Sequence, residues 1–309
     1  MICIEAVYFD GTVEVIFEMY PTNSAVKRLC TITISGADVG FGHFLPPGSP
    51  GVNLIYKTCS EVDADVACTD SALEAIQNHT SDLFGNEKEY RVDMFSLYDG
   101  DSIPRLHNIR SSRVWAYPTI NGKIVDSFCS ESPNQDFLQV LSPINGRLDE
   151  NSKLYGMKAI DVHEGFNSEL LSDIFRRFTG IQAFLSSSKL EISRLIEFVN
   201  RWKSNEGSES LEVLVVSFNQ RFDLSNRIEI ENSIGIRELS SENNAPEFHY
   251  KRRYNLDPND FFSHSFVSNS YVVRDHDQRV ASVLLNEEKF SIGIWDLTEN
   301  EFLEKCLKS

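Results

Sequence analysis

Long apolar runs are missing from this 309-residue chain: no stretch approaches the ~20 consecutive apolar residues that a spanning helix needs. No membrane partner is expected. A secretory leader is not expected either. Met1 to Phe9 is apolar but contains Glu5 and has no basic start, and Asp10-Gly11 follows at once, which suits the turn of a β-hairpin. Paired cysteine motifs are also missing. Cys3, Cys30, Cys59, Cys68, Cys129 and Cys306 are scattered, with no C-x-x-C, as suits reduced thiols in the cytosol or nucleus. Glycine and proline are few, at 16 and 10, which excludes collagen-like and low-complexity classes.

Positive charge is in short supply. The formal net charge is −17, and a phosphate backbone would be repelled by that field, so no nucleic-acid partner is expected. The one basic cluster is Lys251-Arg252-Arg253, which fits a solvated turn or an internal ion pair.

Signatures of chemistry are absent as well. There is no G-x-G-x-x-G, P-loop or G-x-S-x-G. Ser186 to Lys189 matches S-x-x-K, but its companion S-D-N and K-T-G motifs are missing and Ser188 suits a helix cap. Asp275-His276-Asp277 carries ligand-type side chains, yet neighbours in a tight turn cannot all face one ion. The other histidines are dispersed. No catalytic residue, metal site or cofactor site is nominated, and the chain is read as no enzyme.

What is present is an alternation of helices and short strands. Helix starts of the capping-box type occur at Ser71-Ala72-Leu73-Glu74, Ser132-Pro133-Asn134-Gln135 and Ser188-Lys189-Leu190-Glu191, with a fourth start at Asn167. Leu170, Leu171, Ile174, Phe175 and Phe178 make one apolar stripe, and Leu195, Ile196, Val199 and Trp202 another that Asn205 to Gly207 end.

Strand-type runs follow at Val92…Phe95…Leu97, Val114…Tyr117…Thr119, Leu154…Met157…Ala159, Ile181…Phe184…Ser186 and Leu211…Leu214…Val216, their starts 22, 40, 27 and 30 residues apart. Leucine-rich repeats recur every ~20 to 29 residues as L-x-x-L-x-L-x-x-N. Only the last run, through Asn219, completes that signature.

Period-2 alternation marks the ends. Residues 2–20 read as a hairpin, with a third strand over Cys30 to Ile34 and a loop over Phe41 to Gly51. Ser270 to Arg274, Val280 to Leu285 and Phe290 to Trp295 read as three antiparallel strands, followed by a helix over Glu299 to Leu307.

The expected fold is therefore α/β: an irregular leucine-rich-repeat-like strand–helix solenoid with antiparallel β elements at both ends. A doubly wound sheet is the competing architecture. The expected division is an N-terminal β-hairpin region over 1–60, repeats over 61–225, and an antiparallel segment with a terminal helix over 226–309. An open concave face would be lined by Lys158, Leu185, Ser187, Val215 and Ser217, unless another part of the chain covers it. Arg252, Arg253 and Tyr254 form a second candidate protein-binding patch.

Two blocks carry a resemblance. Leu195-Ile196-Glu197-Phe198-Val199-Asn200-Arg201-Trp202-Lys203 is followed by Gly207 and Leu211-Glu212-Val213-Leu214, and Val273-Arg274-Asp275-His276-Asp277-Gln278-Arg279-Val280-Ala281-Ser282-Val283 leads to Phe290 and Ile294-Trp295. From about residue 165 onward the chain resembles the F-box-associated domain, type 2, of the large nematode F-box family. The resemblance implies a non-catalytic substrate receptor of an SCF-type ubiquitin ligase, in which an F-box binds the Skp-type adaptor and the associated domain captures a target protein. Residues 1–60 show no recognisable F-box, so adaptor binding is not expected of them. Gln278 stands where the family pattern has Gly, which implies a strained turn if the family geometry is kept. A leucine-rich-repeat-like scaffold unconnected to ubiquitination and a hydrolase with a site assembled from distant residues are the alternatives.

Overall fold

A computed structural model describes residues 2–7, 13–19, 28–34, 37–44, 53–58, 78, 90–97, 109–132, 134–163, 168–187, 191–223, 225, 227–240, 245–253 and 264–308. The expectations at Ser71–Glu74, Asn167, Ser188 to Leu190 and Tyr254 lie outside the described residues. Two compact units divide the chain, Met1–Asp136 and Phe137–Ser309.

Among its described residues the first unit is mainly β. Strands β1 (Ile2–Val7) and β2 (Val13–Met19) form the expected antiparallel hairpin, with Ile2 opposite Met19 and Val7 opposite Val13. Strands β3 (Arg28–Ile34), β4 (Ala37–Phe44) and β5 (Asn53–Thr58) make an antiparallel sheet, so Phe41 to Phe44 is strand where a loop was expected. The hairpin continues through β1 to β6 (Tyr90–Leu97), which runs parallel to β7 (Ile109–Ala116). A two-residue strand β8 (Ile120–Asn121) then leads into helix α1 (Gly122–Glu131). Asn121 caps α1, its side chain accepting from Lys123 N–H at 2.9 Å. Ser132 closes that helix, its N–H bonding to Phe128 O at 3.0 Å, so the Ser132-Pro133-Asn134-Gln135 signal marks a helix end where a start was expected.

The second unit is a mixed α/β sheet. Its parallel half contains β9 (Phe137–Val140), β11 (Ala159–His163), β12 (Gln182–Ser187) and β13 (Val213–Phe218), side by side in sequence order. A two-residue strand β10 (Ile144–Asn145) and a 3-10 turn (Lys153–Gly156) lie between β9 and β11. That turn occupies the Leu154…Met157 run read as strand, and the strand begins where the run ends. Helix α2 (Ser168–Arg177) connects β11 to β12, and α3 (Ile192–Lys203) connects β12 to β13. No reversal of strand order interrupts this half, so the switch point of a doubly wound sheet is not formed there.

Helix α4 (Arg227–Ile234) and the short strand β14 (Arg237–Glu238) follow. The antiparallel half contains β17 (Ser270–Val273), β18 (Arg279–Leu285) and β19 (Lys289–Thr298), the three expected strands, with α5 (Glu299–Lys308) at the end. β19 joins the two halves by pairing antiparallel with β13, Val213 opposite Gly293 and Ser217 opposite Lys289. Strands β15 (Glu247–Tyr250) and β16 (His264–Val267) form a separate small hairpin.

Strand alternation assigns the core. Leu138, Ile160, Ala183, Leu185, Leu214 and Val216 share one face and are buried. Helices α2, α3 and α4 form a layer over that face. Phe175 of α2 meets Phe198 of α3 at 5.5 Å between ring centroids, and Lys203 of α3 donates to Ile234 O of α4 at 2.7 Å.

The α3 stripe follows from its sequence: Leu195, Phe198, Val199 and Trp202 recur at helical spacing and all are buried. The helix ends in a Schellman motif. Glu206 N–H bonds to Arg201 O at 2.9 Å and Asn205 N–H to Trp202 O at 3.3 Å, with Asn205 at φ 61°.

The opposite face is covered from within the unit. Phe248 and Phe266 of the small hairpin pack on Phe184 and Val213, and Phe302 and Cys306 of α5 pack on Tyr271, Val273 and Val280. Gly293 makes the first contact possible: a Cβ there would lie 2.3 Å from Phe248 Cδ1 and 2.4 Å from its Cε1. Among the described residues no helix is long and apolar enough to cross a membrane.

Candidate functional site

The register of β12 and β13 separates the residues expected to line one surface. Phe184 stands opposite Val215 and Leu185 opposite Val216, so Leu185 and Ser187 point to the helix layer while Val215 and Ser217 point to the hairpin side. Leu185 is 4% exposed and Ser187 1%, and neither lines an accessible surface. A one-residue difference in register turns every side chain of a strand over. Val215 is half-buried beneath the small hairpin, and Ser217 is exposed. Lys158 is exposed just ahead of β11, where its carbonyl accepts from Ile181 N–H at 2.7 Å and Gln182 N–H at 3.0 Å.

The structure brings Arg252 and Arg253 onto the hairpin side of the parallel strands. Lys251 to Arg253 continues from β15 and meets Asp161 of β11, Gln182 of β12 and Glu212 just ahead of β13. Gln182, only 2% exposed, holds its backbone at two points. The Gln182 Nε2 donates to Lys251 O at 3.0 Å, and Gln182 Oε1 accepts from Arg253 N–H at 3.0 Å.

Arg252 lies over the Phe184 ring, its Cζ 4.2 Å from the ring centroid, and donates to Asp161 Oδ2 at 3.0 Å. Gln139 Nε2 donates to the same Asp161 oxygen at 2.9 Å, and His163 Nε2 stands 3.8 Å from Asp161 Oδ1. Arg253 grips Glu212 with two nitrogens, Nε at 3.2 Å from Oε2 and Nη2 against Oε1. A planar guanidinium facing a carboxylate in this fork is a strong and directional pair.

Asp161, Gln182 and Glu212 were not singled out by sequence reading. Their signal was available in two strands, because Asp161 and Gln182 are polar residues on the same alternation as Ala159 and Phe184 within otherwise buried stretches. A polar residue at a core position demands a partner.

Turn chemistry accounts for Asp275-His276-Asp277. Arg274, 4% exposed, carries on the face of Val272, and its guanidinium lies 5.4 Å from the Trp202 ring centroid. It pairs with Asp277 through two hydrogen bonds, one of them Nε to Oδ1 at 2.8 Å, and Arg279 Nε approaches Asp277 at 3.5 Å. The Arg274 hydrogen bonds hold the Asp277 carboxyl down at about 2, below its usual 3.8. Burial pushes the Cys306 thiol up, and burial together with the Glu299 carboxylate pushes Tyr271 up.

A polar cleft of about 310 Å³ lies beside α2 and α3, lined by Arg147, Glu169, Ser172, Asp173, Arg176, Glu191 and Arg194. Its charges cancel in pairs, Arg147 with Glu169 at 2.7 Å, Arg176 with Asp173, and Arg194 with Glu191 at 3.6 Å. No net field is left there for an ion.

No protein-family model, curated protein or solved structure matches the chain.

Proposed function

We propose that this chain is a non-catalytic protein-binding module of the F-box-associated type, the part of an SCF-like ubiquitin-ligase receptor that captures a target protein. One observation carries the reading: the two sequence blocks that resemble that family pack on each other. Trp202 of the first block lies on Arg274 of the second, Lys203 O accepts from Asp275 N–H at 3.0 Å, and Ile294 N–H bonds to Glu212 O at 2.9 Å. Blocks that are distant in sequence yet form one packed unit are what a shared domain fold requires.

Within this reading, the sequential parallel strands with α2 to α4 on one face are the irregular leucine-rich-repeat-like part, and β17 to β19 are its antiparallel end. The same strand order favours a second reading, a repeat-like binding scaffold outside ubiquitination. Two measurements separate them. The purified chain is titrated with the Skp-type adaptor beside an F-box-bearing relative, and proteins cross-linked to it in cells are tested for ubiquitylation that falls when this chain is depleted. A captured protein that loses ubiquitylation is expected. Capture without any such change would favour the scaffold, and turnover of ester, phosphoester or glycoside substrates by the purified chain would overturn both.

A further inference from the structure

We infer that the hairpin side of the parallel strands is a groove for an extended basic segment of a partner protein, and that Lys251 to Arg253 is its resident occupant in cis. The inference deepens the protein-binding reading and rests on it.

The contacts are those by which a protein reads a peptide. A nearly buried glutamine side chain brackets the backbone, taking both the carbonyl of residue 251 and the N–H of residue 253. Two consecutive arginines are then read separately. The first lies over Phe184 and is paired with Asp161, and the second is gripped in a fork by Glu212. Lysine would satisfy neither contact as well, because stacking and bidentate pairing both need a planar cation.

The resident segment fits imperfectly and lies at the surface. Arg252 Nε is buried with no hydrogen-bond partner, so the resident guanidinium leaves one of its own donors unsatisfied, at a cost. The two arginine side chains are 31% and 48% exposed, against 8% for the Asp161 carboxylate beneath Arg252. The small hairpin from which the tripeptide extends has its own anchor, Phe248 on Gly293. Charge complementarity favours the same occupant: with the two arginines withdrawn, Asp161 and Glu212 leave two uncompensated carboxylates on this face.

The test uses the full chain and a labelled peptide, acetyl-Ala-Lys-Arg-Arg-Ala-amide, followed by fluorescence anisotropy at physiological salt, where loose attraction between distant charges is screened. Vacating the groove with R252A/R253A is expected to tighten peptide binding at least ten-fold over the native chain. Adding Asp161→Asn or Glu212→Gln to that variant should reverse the gain, and a peptide with Lys-Lys in place of Arg-Arg should bind several-fold more weakly. Should R252A/R253A lose its circular dichroism signature, R252K/R253K keeps both charges and is expected to give a smaller gain of the same sign.

Equal affinity of the native and vacated chains overturns the inference, as does binding that survives Asp161→Asn and Glu212→Gln together. A failed peptide titration beside a captured ubiquitylation target removes the groove alone. Sound peptide binding with no ubiquitylation target removes the ligase reading and leaves the groove.

Discussion

Placing a single methyl group at residue 293 should separate the small hairpin from the sheet, and the size of the effect follows from the geometry. Gly293 lies on β19 directly under the Phe248 ring, and an added Cβ would meet Cδ1, Cε1 and Cγ at 2.3, 2.4 and 2.7 Å. Ordinary contact needs roughly another ångström of clearance. The ring cannot yield freely. Phe266 and Tyr250 flank it, with ring centroids 5.4 and 6.3 Å away, and Trp295 stands edge-on at 5.1 Å. Overpacking of this kind costs about 1–3 kcal/mol, so Gly293→Ala should destabilise by about 2 kcal/mol.

Phe248→Ala should cost more, about 3 kcal/mol, because it leaves a cavity among these rings. The decisive variant is the double one. With the ring gone the methyl group has room, and alanine is the better strand residue by about 0.5–1 kcal/mol. Gly293→Ala should therefore be neutral or slightly stabilising in the Phe248→Ala background, a coupling of about 2 kcal/mol between the sites. Urea unfolding followed by tryptophan fluorescence measures all four proteins. Additive costs, or a Gly293→Ala cost below about 0.5 kcal/mol, would refute the close approach described here.

Three further outcomes are expected. Asp277→Asn should lose up to about 2 kcal/mol at pH 6, the equivalent of a carboxyl held at about 2 against its usual 3.8. Because the folded value is depressed, the native chain's advantage over Asp277→Asn should be complete above about pH 5 and be lost as pH falls through 2, which parallel urea titrations at each pH will measure. Gln278 sits at φ 60°, with its side chain bonded to Asp275 O at 3.1 Å, so urea midpoints should rank Gly above Gln above Val at this position. The left-handed cost of about 1–2 kcal/mol outweighs glycine's entropy cost in the unfolded chain by about 0.5 kcal/mol. Cys306, buried against Phe302 and Tyr271 with its thiol pushed up, should stay unmodified by iodoacetamide at pH 8 until urea unfolds the chain, as peptide mass mapping will show.

The parts of the fold legible in the sequence are those whose signal is local. Asp10-Gly11 with period-2 flanks marks the first hairpin, and the stripe through Leu195, Val199 and Trp202 marks α3. What failed depended on distant partners. Ser132 carries a start signature, yet the apolar residues it serves, Val125, Phe128 and Cys129, precede it. Leu154 and Met157 are as apolar as strand residues, but the backbone there closes a 3-10 turn and both are buried without pairing in the sheet.

The candidate site suffered most. Four-residue strands at Glu247 and His264 are too short to declare themselves, and only their docking on Gly293 reveals which face of β12 and β13 they cover. Without that face, Leu185 could not be told from Phe184. Gln278 shows the converse: the departure from glycine was visible in sequence, and the backbone keeps the left-handed turn that glycine would have eased.

The seam between β13 and β19 has a consequence for how the protein is made. On the ribosome β13 emerges first, carrying Val213 to Phe218, and its outer edge finds a partner only when Lys289 to Gly293 has been synthesised. At ordinary translation speeds that delay is on the order of several seconds. Through that interval the nascent chain presents an apolar strand edge, the kind of template on which chains pair with strangers. A transcript truncated anywhere between these strands would make the exposure permanent, and such products should be found with chaperones or in aggregates before they are found folded.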